Sequence, residues 1–262
     1  MRILIDAMGG DNAPQAPVMG ALRAVKELGV SVTLIGQMEK IEPLLNGGSG
    51  VDIVDAREIV TMEDDPSTAT RRKKDSSMAV ALKMLRAGEG DAVVSAGSTG
   101  ALLTGATLTV KRIPGIRRAA LAPVLPNGAR GVMLIDCGAN VECTPEYLLQ
   151  FAYMGSFYAD KIMGCPRPRV GLLSNGTEPT KGAPLQKQTF KLLQKASEAG
   201  RINFIGNVEG NDVMAGGVDV VVTDGFTGNV FLKASEGMIK FALGQLKNVF
   251  YGSTKNKLAA LA

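Results

Sequence analysis

The alternation of short apolar runs with amphipathic segments of helical length most strongly constrains the fold. A typical run, 218–222, reads Val-Asp-Val-Val-Val. Parallel strands are buried on both faces and read as nearly continuous apolar runs, while the helices between them cover the sheet. The pattern predicts an α/β fold, a three-layer αβα sandwich with a mainly parallel sheet. We expect strands at 2–6, 31–35, 51–54, 91–95, 119–124, 131–136, 169–174, 202–205 and 218–223, and helices at 14–28, 38–45, 76–88, 99–111, 145–163, 184–198 and 228–250.

The chain of 262 residues is long enough to bury one large α/β core. It has no low-complexity linker and no internal repeat, so we expect a single domain over 1–262, with 240–262 starting a protruding amphipathic helical segment. The apolar run 2–6 begins at once, so we expect no signal peptide. The uncharged stretch 92–110 fits a strand, a glycine turn and a helix better than a membrane span.

Composition excludes several classes of function. The chain has no histidine, which removes Ser-His-Asp and Cys-His catalysis and imidazole metal ligands. Its three cysteines form no metal-ligand pattern, so we expect no metal and no cofactor. A net charge of +4 and the absence of tryptophan argue against nucleic acid as a partner. Lys, Arg, carboxylates, hydroxyls and backbone amides are left to perform any chemistry.

Glycine-rich junctions follow the first and fourth expected strands, where ligands bind in open parallel sheets. The segment 95–101 reads Ser-Ala-Gly-Ser-Thr-Gly-Ala and opens a helix. Amides and hydroxyls at a helix N-terminus favour an anion, although an ordinary capped turn is the alternative. The segment matches neither common nucleotide-binding fingerprint. The phosphate-binding candidates are Gly97, Ser98, Thr99 and Gly100, together with Gly9 and Gly10 after the first strand.

Four more polar junctions and two basic groups complete the candidates. The junctions are 136–140, 174–182, 206–209 and 223–229, and parallel strand order should bring them to one sheet edge. Lysines and arginines cluster at 71–74 and again at 111–118. Such runs are usually solvated faces. Here they could instead gather phosphate or receive an acidic protein.

At these residues the chain closely resembles the phosphate acyltransferases of bacterial phospholipid synthesis, the PlsX type. The likeness runs through seven ordered blocks: 6–14, 71–78, 95–102, 136–140, 171–182, 204–209 and 219–233. It implies a homodimeric αβα fold similar to isopropylmalate dehydrogenases and phosphotransacetylases. The implied reaction forms acyl phosphate from an acyl carrier protein thioester and inorganic phosphate. The family usually has His where this chain has Asn12, and its members continue past the position of Ala262.

The resemblance fits chemistry that requires no histidine, and we hypothesise the following roles for the candidate residues. Lys181 would neutralise phosphate or the developing oxyanion, with Asn229 and Asn207 as further donors. Asp224 and Glu209 would orient those groups. Anion supply or docking of the acidic carrier protein is expected of Arg71, Arg72, Lys73 and Lys74.

The family likeness further implies a cytoplasmic enzyme with peripheral contact at the inner face of the cell membrane. Its product would pass to a membrane glycerol-3-phosphate acyltransferase. In the basic amphipathic segment 241–262, Leu258 and Leu261 are the membrane-contact candidates, and a dimer-interface or core helix is the alternative. Three other functions stay open: a nicotinamide-dependent decarboxylating dehydrogenase, a non-enzymatic phosphate-binding or membrane-recruitment module, and acetyl transfer with coenzyme A.

Overall fold

The computed structural model describes residues 1–128 and 130–251. These residues form two compact units, and the chain passes from the first to the second between Gly115 and Ile116. Each unit contains its own sheet, so the strands form two sheets where the alternation suggested one. The αβα sandwich with mainly parallel strands is confirmed. The expectation of a single domain over 1–262 stays a prediction.

The first unit is built around a four-stranded parallel sheet in the order β3-β2-β1-β4. Val32 and Leu34 pack with helix residues Val18 and Ile41 on one side of the sheet. On the other side, Leu4 and Ile35 pack against the helix that contains Ala81, as strand alternation requires. The elements are β1 Arg2–Asp6, α1 Gln15–Leu28, β2 Ser31–Gly36, α2 Met38–Leu45, β3 Val51–Asp55, α3 Ala69–Arg72, α4 Ser77–Ala87, β4 Ala92–Val94 and α5 Thr99–Thr109.

The second unit contains a five-stranded sheet in the order β5-β6-β9-β7-β8, in which only the β5–β6 pair is antiparallel. Phe151 and Leu193 lie in the core on one face, and Val213 packs on the other. Prolines begin α6 and α7, where a missing N–H costs nothing. The elements are β5 Val124–Leu125, β6 Val132–Ile135, α6 Pro145–Lys161, β7 Arg169–Leu173, α7 Pro184–Glu198, β8 Asn203–Val208, α8 Gly210–Met214, β9 Val220–Val222 and α9 Gly225–Tyr251.

The expected strand at 119–124 is wrong, because only Val124 and Leu125 form a strand there. Pro123 has no N–H to give to a ladder, and the N–H of Leu121 donates to the Asp136 carboxylate at 2.9 Å. Two short helices, α3 and α8, were not expected. In 92–110, by contrast, the expected strand, turn and helix are all present.

Candidate functional site

The loops after β1 and β4 lie against each other at the carboxyl edge of the first unit's sheet. A Cβ atom added at Gly9 would lie 2.9 Å from the Gly97 backbone nitrogen and 3.0 Å from Ser95 Oγ. Gly10 has a φ of +98°, a conformation that side chains rarely adopt. Only glycine therefore fits at both positions, and the two glycine-rich segments of the sequence meet at one place.

Asp6, at the end of β1, is the centre of a buried hydrogen-bond cluster below these loops. Its side chain is 2% exposed. Oδ1 accepts from Ser77 Oγ at 2.5 Å and from the Met8 N–H at 3.2 Å, and Oδ2 accepts from Ser95 Oγ at 2.6 Å. Ser95 Oγ in turn accepts from the Gly97 N–H at 3.1 Å. One carboxylate thus joins β1, α4 and the loop after β4.

The predicted phosphate residues begin α5. Ser98 is the N-cap, and its Oγ accepts from the Ala101 N–H at 3.4 Å. The first N–H groups of a helix have no partner inside it, so those of Ser98, Thr99 and Gly100 are available to a ligand. The Gly97 amide is instead bonded to Ser95. A cleft of about 220 Å³ borders this turn, lined by Met8, Gly10, Asp11, Ile59, Val60, Thr61, Met62, Glu63, Gly97 and Ser98.

The four cations at 71–74 are in two different environments. Lys73 is partly buried, and its Nζ donates to Asp64 at 2.6 Å and to the Ile59 carbonyl at 2.8 Å. This bonding lowers the pKa of Asp64, with the Lys73 hydrogen bond as the largest cause. The other three cations are exposed on a cleft of about 630 Å³, lined by Thr68, Thr70, Arg71, Arg72, Lys74 and Lys83.

In the second unit three of the polar junctions follow β6, β7 and β9, and the fourth, 206–209, is the carboxyl end of β8 and the residue after it. These four strands are adjacent and parallel. The expectation that these four meet at one sheet edge is confirmed. The phosphate candidates belong to the first unit and Lys181 to the second. That residues 97–100 and Lys181 act on the same phosphate stays a prediction.

Lys181 is exposed in the loop between β7 and α7. Its backbone N–H donates to the Glu178 carbonyl at 3.0 Å, and Asn207 Nδ2 donates to the same oxygen at 2.8 Å. Asn207 is 6% exposed, so it braces the loop that contains Lys181 from the end of β8. Its Oδ1 is buried without a partner among the described residues.

The remaining catalytic candidates lie at two helix starts. Asp224 precedes α9, and its carboxylate accepts from the Thr227 N–H and from Thr227 Oγ1, both at 2.8 Å. Glu209 precedes α8, and its N–H donates to Asp212 at 2.9 Å. Asn229 is exposed in α9 and lies beside the junction at Gly138, where an added Cβ would be 3.8 Å from Asn229 Oδ1. Asp224 therefore caps a helix, and its orienting role stays a prediction.

Comparison with known proteins identifies the family. All of residues 1–262 match the model of a family described as "Fatty acid synthesis protein". The phosphate acyltransferase of Oceanobacillus iheyensis is 48% identical over 261 residues, which cover 99% of this chain and 77% of that protein. The phosphate acyltransferase of Geobacillus sp. is 47% identical over 262 residues, covering 99% and 78%. The chain belongs to the phosphate acyltransferase family.

Solved structures support the fold. A phosphotransacetylase from Streptococcus pyogenes superposes with a TM-score of 0.68 at 19% identity, and EutD phosphotransacetylase from Staphylococcus aureus with 0.66 at 17%. Each alignment covers 91% of this chain and 82% of the other. At such identities the likeness shows the fold alone. The family membership makes the chain an acyltransferase of lipid synthesis, so the non-enzymatic module and the dehydrogenase are not favoured.

The geometry of this acyltransferase also disfavours the dehydrogenase. A decarboxylating dehydrogenase would need paired acidic metal ligands, and the tempting pair in the sequence, Asp219 and Asp224, lies at opposite ends of β9. Arg169 holds Asp219 through two side-chain hydrogen bonds of 2.9 Å. Among the described residues, no group of three or more Cys, Asp or Glu side chains is arranged to hold a metal ion.

The thiols of the acyltransferase are poorly suited to act as nucleophiles. Burial raises the pKa of Cys137 and of Cys143 to about 11, and burial also raises the pKa of Cys165. A thiol with so high a pKa is protonated at neutral pH, and the thiolate is the reactive form. Acyl transfer through a cysteine intermediate is therefore disfavoured.

Ser77 and Asn140 make structural contacts that the sequence did not indicate. Two consecutive serines begin α4, and a helix needs only one as its cap, which is Ser76. The second hydroxyl, that of Ser77, is not needed for capping, and this was the sequence feature that could have indicated another role for Ser77. Asn140 belonged to a polar junction, but its bonds to Asp136 and to the Ala119 carbonyl could not be foreseen. Leu258 and Leu261 lie outside the described residues.

Proposed function

We propose that this acyltransferase moves a fatty acyl group from the thioester of acyl carrier protein to inorganic phosphate, releasing acyl phosphate and the free carrier thiol. The observation that supports it most is the full-length match to phosphate acyltransferases. The N-terminus of α5, where backbone N–H groups favour an anion, supports the assignment of a phosphate site.

The chemistry requires no activated side-chain nucleophile. A phosphate oxygen attacks the thioester carbonyl carbon, forming a C–O bond and a tetrahedral oxyanion. The oxyanion collapses, the C–S bond breaks, and sulfur leaves with the electron pair as a thiolate. Because a thiol has a pKa near 8.5, the thiolate needs little help from a general acid and takes a proton from water afterwards. The enzyme therefore has to position phosphate and stabilise the oxyanion.

We assign phosphate to the turn of Gly97, Ser98, Thr99 and Gly100, with Gly9 and Gly10 holding the neighbouring loop in place. The three free amides at the start of α5 supply directed donors, and the helix dipole adds a favourable field. Lys181 is assigned to the oxyanion or to phosphate charge, with Asn207 bracing its loop. A well-aimed oxyanion donor lowers the activation free energy by about 3–4 kcal/mol. Lys181→Ala should therefore lower kcat at least about 100-fold.

The carrier protein, which is acidic, should dock on the exposed cations Arg71, Arg72 and Lys74. Their cleft gathers positive charge with Lys83, and such fields mainly accelerate association. Arg72→Gln should raise KM for the acyl carrier protein about threefold, and more at low salt. Lys73→Gln is the control, because Lys73 is bonded to Asp64 and should change thermal stability instead of KM.

The activity test uses purified protein, acyl-acyl carrier protein and ³²P-orthophosphate. We expect phosphate-dependent ³²P incorporation into an organic-soluble product with equal release of carrier thiol. Acyl-coenzyme A in place of the carrier protein separates this reaction from coenzyme A-dependent transfer. No label incorporation from the carrier thioester, or faster incorporation from coenzyme A, would contradict the proposal.

The proposal has three further parts. The acyltransferase forms a homodimer, it contacts the membrane peripherally, and its acyl phosphate passes to a membrane glycerol-3-phosphate acyltransferase. Among the described residues no helix is both long and apolar enough to cross a membrane. The later part of α9 exposes Phe241, Leu246 and Phe250, a surface that a second copy or a lipid interface would cover. Sedimentation velocity tests for the dimer. Sedimentation with and without vesicles of anionic lipid tests for membrane contact.

A further inference from the structure

We propose that Asp6 is a positioning residue for phosphate binding, acting through Ser95. In this role the Asp6 carboxylate fixes the direction of the Ser95 hydroxyl, and Ser95 fixes the turn that presents the amides of α5. The inference rests on the proposed function and extends it to Asp6, Ser77 and Ser95, which have no role in the assignments above.

A serine hydroxyl has a single proton to donate. The Ser95 hydroxyl donates to Asp6 Oδ2 at 2.6 Å, so its one proton points to Asp6. The Ser95 lone pairs are then free to accept, and the Gly97 N–H donates to them at 3.1 Å. The Asp6 carboxylate thus sets the direction of the two successive hydrogen bonds from Gly97 to Ser95 and from Ser95 to Asp6, which we call the relay.

The relay decides which amides of the turn are available. With the Gly97 N–H directed inward to Ser95, the N–H groups of Ser98, Thr99 and Gly100 remain at the start of α5. Gly97 is also packed against the loop after β1, since a Cβ added to it would lie 3.3 Å from the Gly9 Cα. Loss of the Ser95 bond would let this turn rotate and misdirect the donors.

The environment of Asp6 favours a positioning role over simple packing. A buried carboxylate is costly unless it is well hydrogen-bonded, and the described partners of Asp6 are two hydroxyls and one amide, with no cation. Its two hydroxyl partners come from positions 71 and 89 residues later in the chain. An apolar side chain would fill the strand end with less penalty, but it could not orient Ser95.

The test compares Ser95→Ala with two nearby serines. Ser95→Ala should raise KM for orthophosphate about tenfold and leave kcat and the donor KM within twofold, because it weakens binding of one substrate throughout. Asp6→Asn should act in the same direction, because an amide group can donate to Ser95 and reverse the relay. Ser77→Ala removes one Asp6 partner but keeps the link from Ser95 to Gly97, so its effect should be smaller.

Ser76→Ala is the matched structural control. Ser76 caps α4 through the Ala79 N–H and makes no contact with Asp6 in the described hydrogen bonds. Its loss should lower the thermal midpoint without changing the phosphate KM. If Ser95→Ala changed the thermal midpoint as Ser76→Ala does and left the phosphate KM unchanged, the positioning role would be wrong.

Phosphate binding measured without turnover separates this inference from the proposed function. A ³¹P NMR titration with orthophosphate should show weaker binding to Ser95→Ala than to the unmodified protein. If the unmodified protein formed no acyl phosphate but still showed this difference, the proposed reaction would fall and the positioning role would stand. Equal binding by both proteins, or no binding by the unmodified protein, would overturn the positioning role.

Discussion

The two units each place a buried aspartate at the carboxyl end of a strand, and the partners of the two aspartates differ. Asp6 is the last residue of β1 in the first unit and is bonded mainly by hydroxyls from distant parts of the chain, those of Ser77 and Ser95. Asp136 follows β6 in the second unit and is 0% exposed. Three backbone N–H groups donate to Asp136, those of Leu121, Ala139 and Asn140, together with Asn140 Nδ2.

The difference indicates two ways to bury a carboxylate without a cation. Backbone amides cannot turn to a new acceptor, so Asp136 fixes the loop that follows it and the segment at 119–121. Hydroxyls can rotate about the C–O bond, so the Asp6 cluster tolerates change more readily. We therefore expect Asp136 to matter most for stability and Asp6 to matter most for ligand binding.

Replacing each aspartate by alanine should produce the largest effect and test this contrast. Asp136→Ala removes the acceptor of three partly buried backbone N–H groups and one of the two acceptors of Asn140 Nδ2, so it should lower the free energy of unfolding by about 4 kcal/mol. Asp6→Ala should cost about 2 kcal/mol, because the two hydroxyls can find other acceptors. Urea unfolding followed by circular dichroism measures both. The isosteric variants Asp136→Asn and Asp6→Asn, which keep one acceptor oxygen, should each lose less. Equal losses for the two alanine variants would contradict the contrast.

Glycines packed against the two aspartates sharpen the comparison. A Cβ at Gly228 would lie 2.0 Å from the Asp136 carbonyl oxygen, a backbone atom that cannot move aside. Gly228→Ala should therefore lower the free energy of unfolding by about 3 kcal/mol. A Cβ at Gly9 would lie 2.6 Å from the Asp6 carboxylate and 2.9 Å from the Gly97 nitrogen. Gly9→Ala should cost less stability but raise the phosphate KM further than Gly228→Ala does.

The control for both glycine variants is Gly237→Ala. Gly237 lies in α9 with no atom within 4 Å of an added Cβ. Alanine is a better helix former than glycine, so this variant should gain about 0.5–1 kcal/mol. If Gly237→Ala lowered the free energy of unfolding as much as Gly228→Ala, alanine would destabilise α9 in general. The clash with the Asp136 carbonyl would then not explain the loss at Gly228.

Much of the fold could be predicted from local pattern alone. β1, α2 and α7 have the bounds expected from the sequence, because apolar periodicity and proline positions mark them clearly. Strand pairing, in contrast, depends on long-range contacts, so the alternation did not reveal two sheets. The segment at 119–123 has strand-like composition, but Asp136 takes the Leu121 N–H, which is a tertiary effect.

The candidate site could be predicted to a similar degree. Parallel strand order correctly placed four junctions at one edge of the second sheet, and it brought the loops of Gly9 and Gly97 together. The partners of individual side chains could not be predicted. Asp224 and Lys73 have the residue types expected of a catalytic and a docking group, yet Asp224 caps α9 and Lys73 is bonded to Asp64. Composition gives the residue type, and only packing decides which partner it meets.

A third aspartate, Asp219, is held by a cation and should give the smallest effect. Hydrogen bonds from Arg169 are the largest cause that lowers the pKa of Asp219 below its ordinary 3.8. A lowered folded-state pKa gives stability that is fully present above the unfolded value and is lost as the pH falls through the folded value. At pH 7, Asp219→Asn should cost about 1 kcal/mol, a modest value because the Arg169 side chain is 43% exposed and screened by water.

Urea unfolding of Asp219→Asn and the unmodified protein between pH 7 and pH 3 measures this dependence. The difference between them should be constant near neutral pH and should shrink below about pH 4. Asp52→Asn is the control, since the Arg2–Asp52 pair is exposed at 3.7 Å and should contribute little at any pH. If the Asp219 difference stayed undiminished at pH 3, its cause would be the lost shape of the pair instead of its charge. Asp219 would then resemble Asp136, whose donors are held in fixed positions by the backbone. What separates the three aspartates would then be whether their donors are rigid or can rotate, and the charge of the donor would not matter.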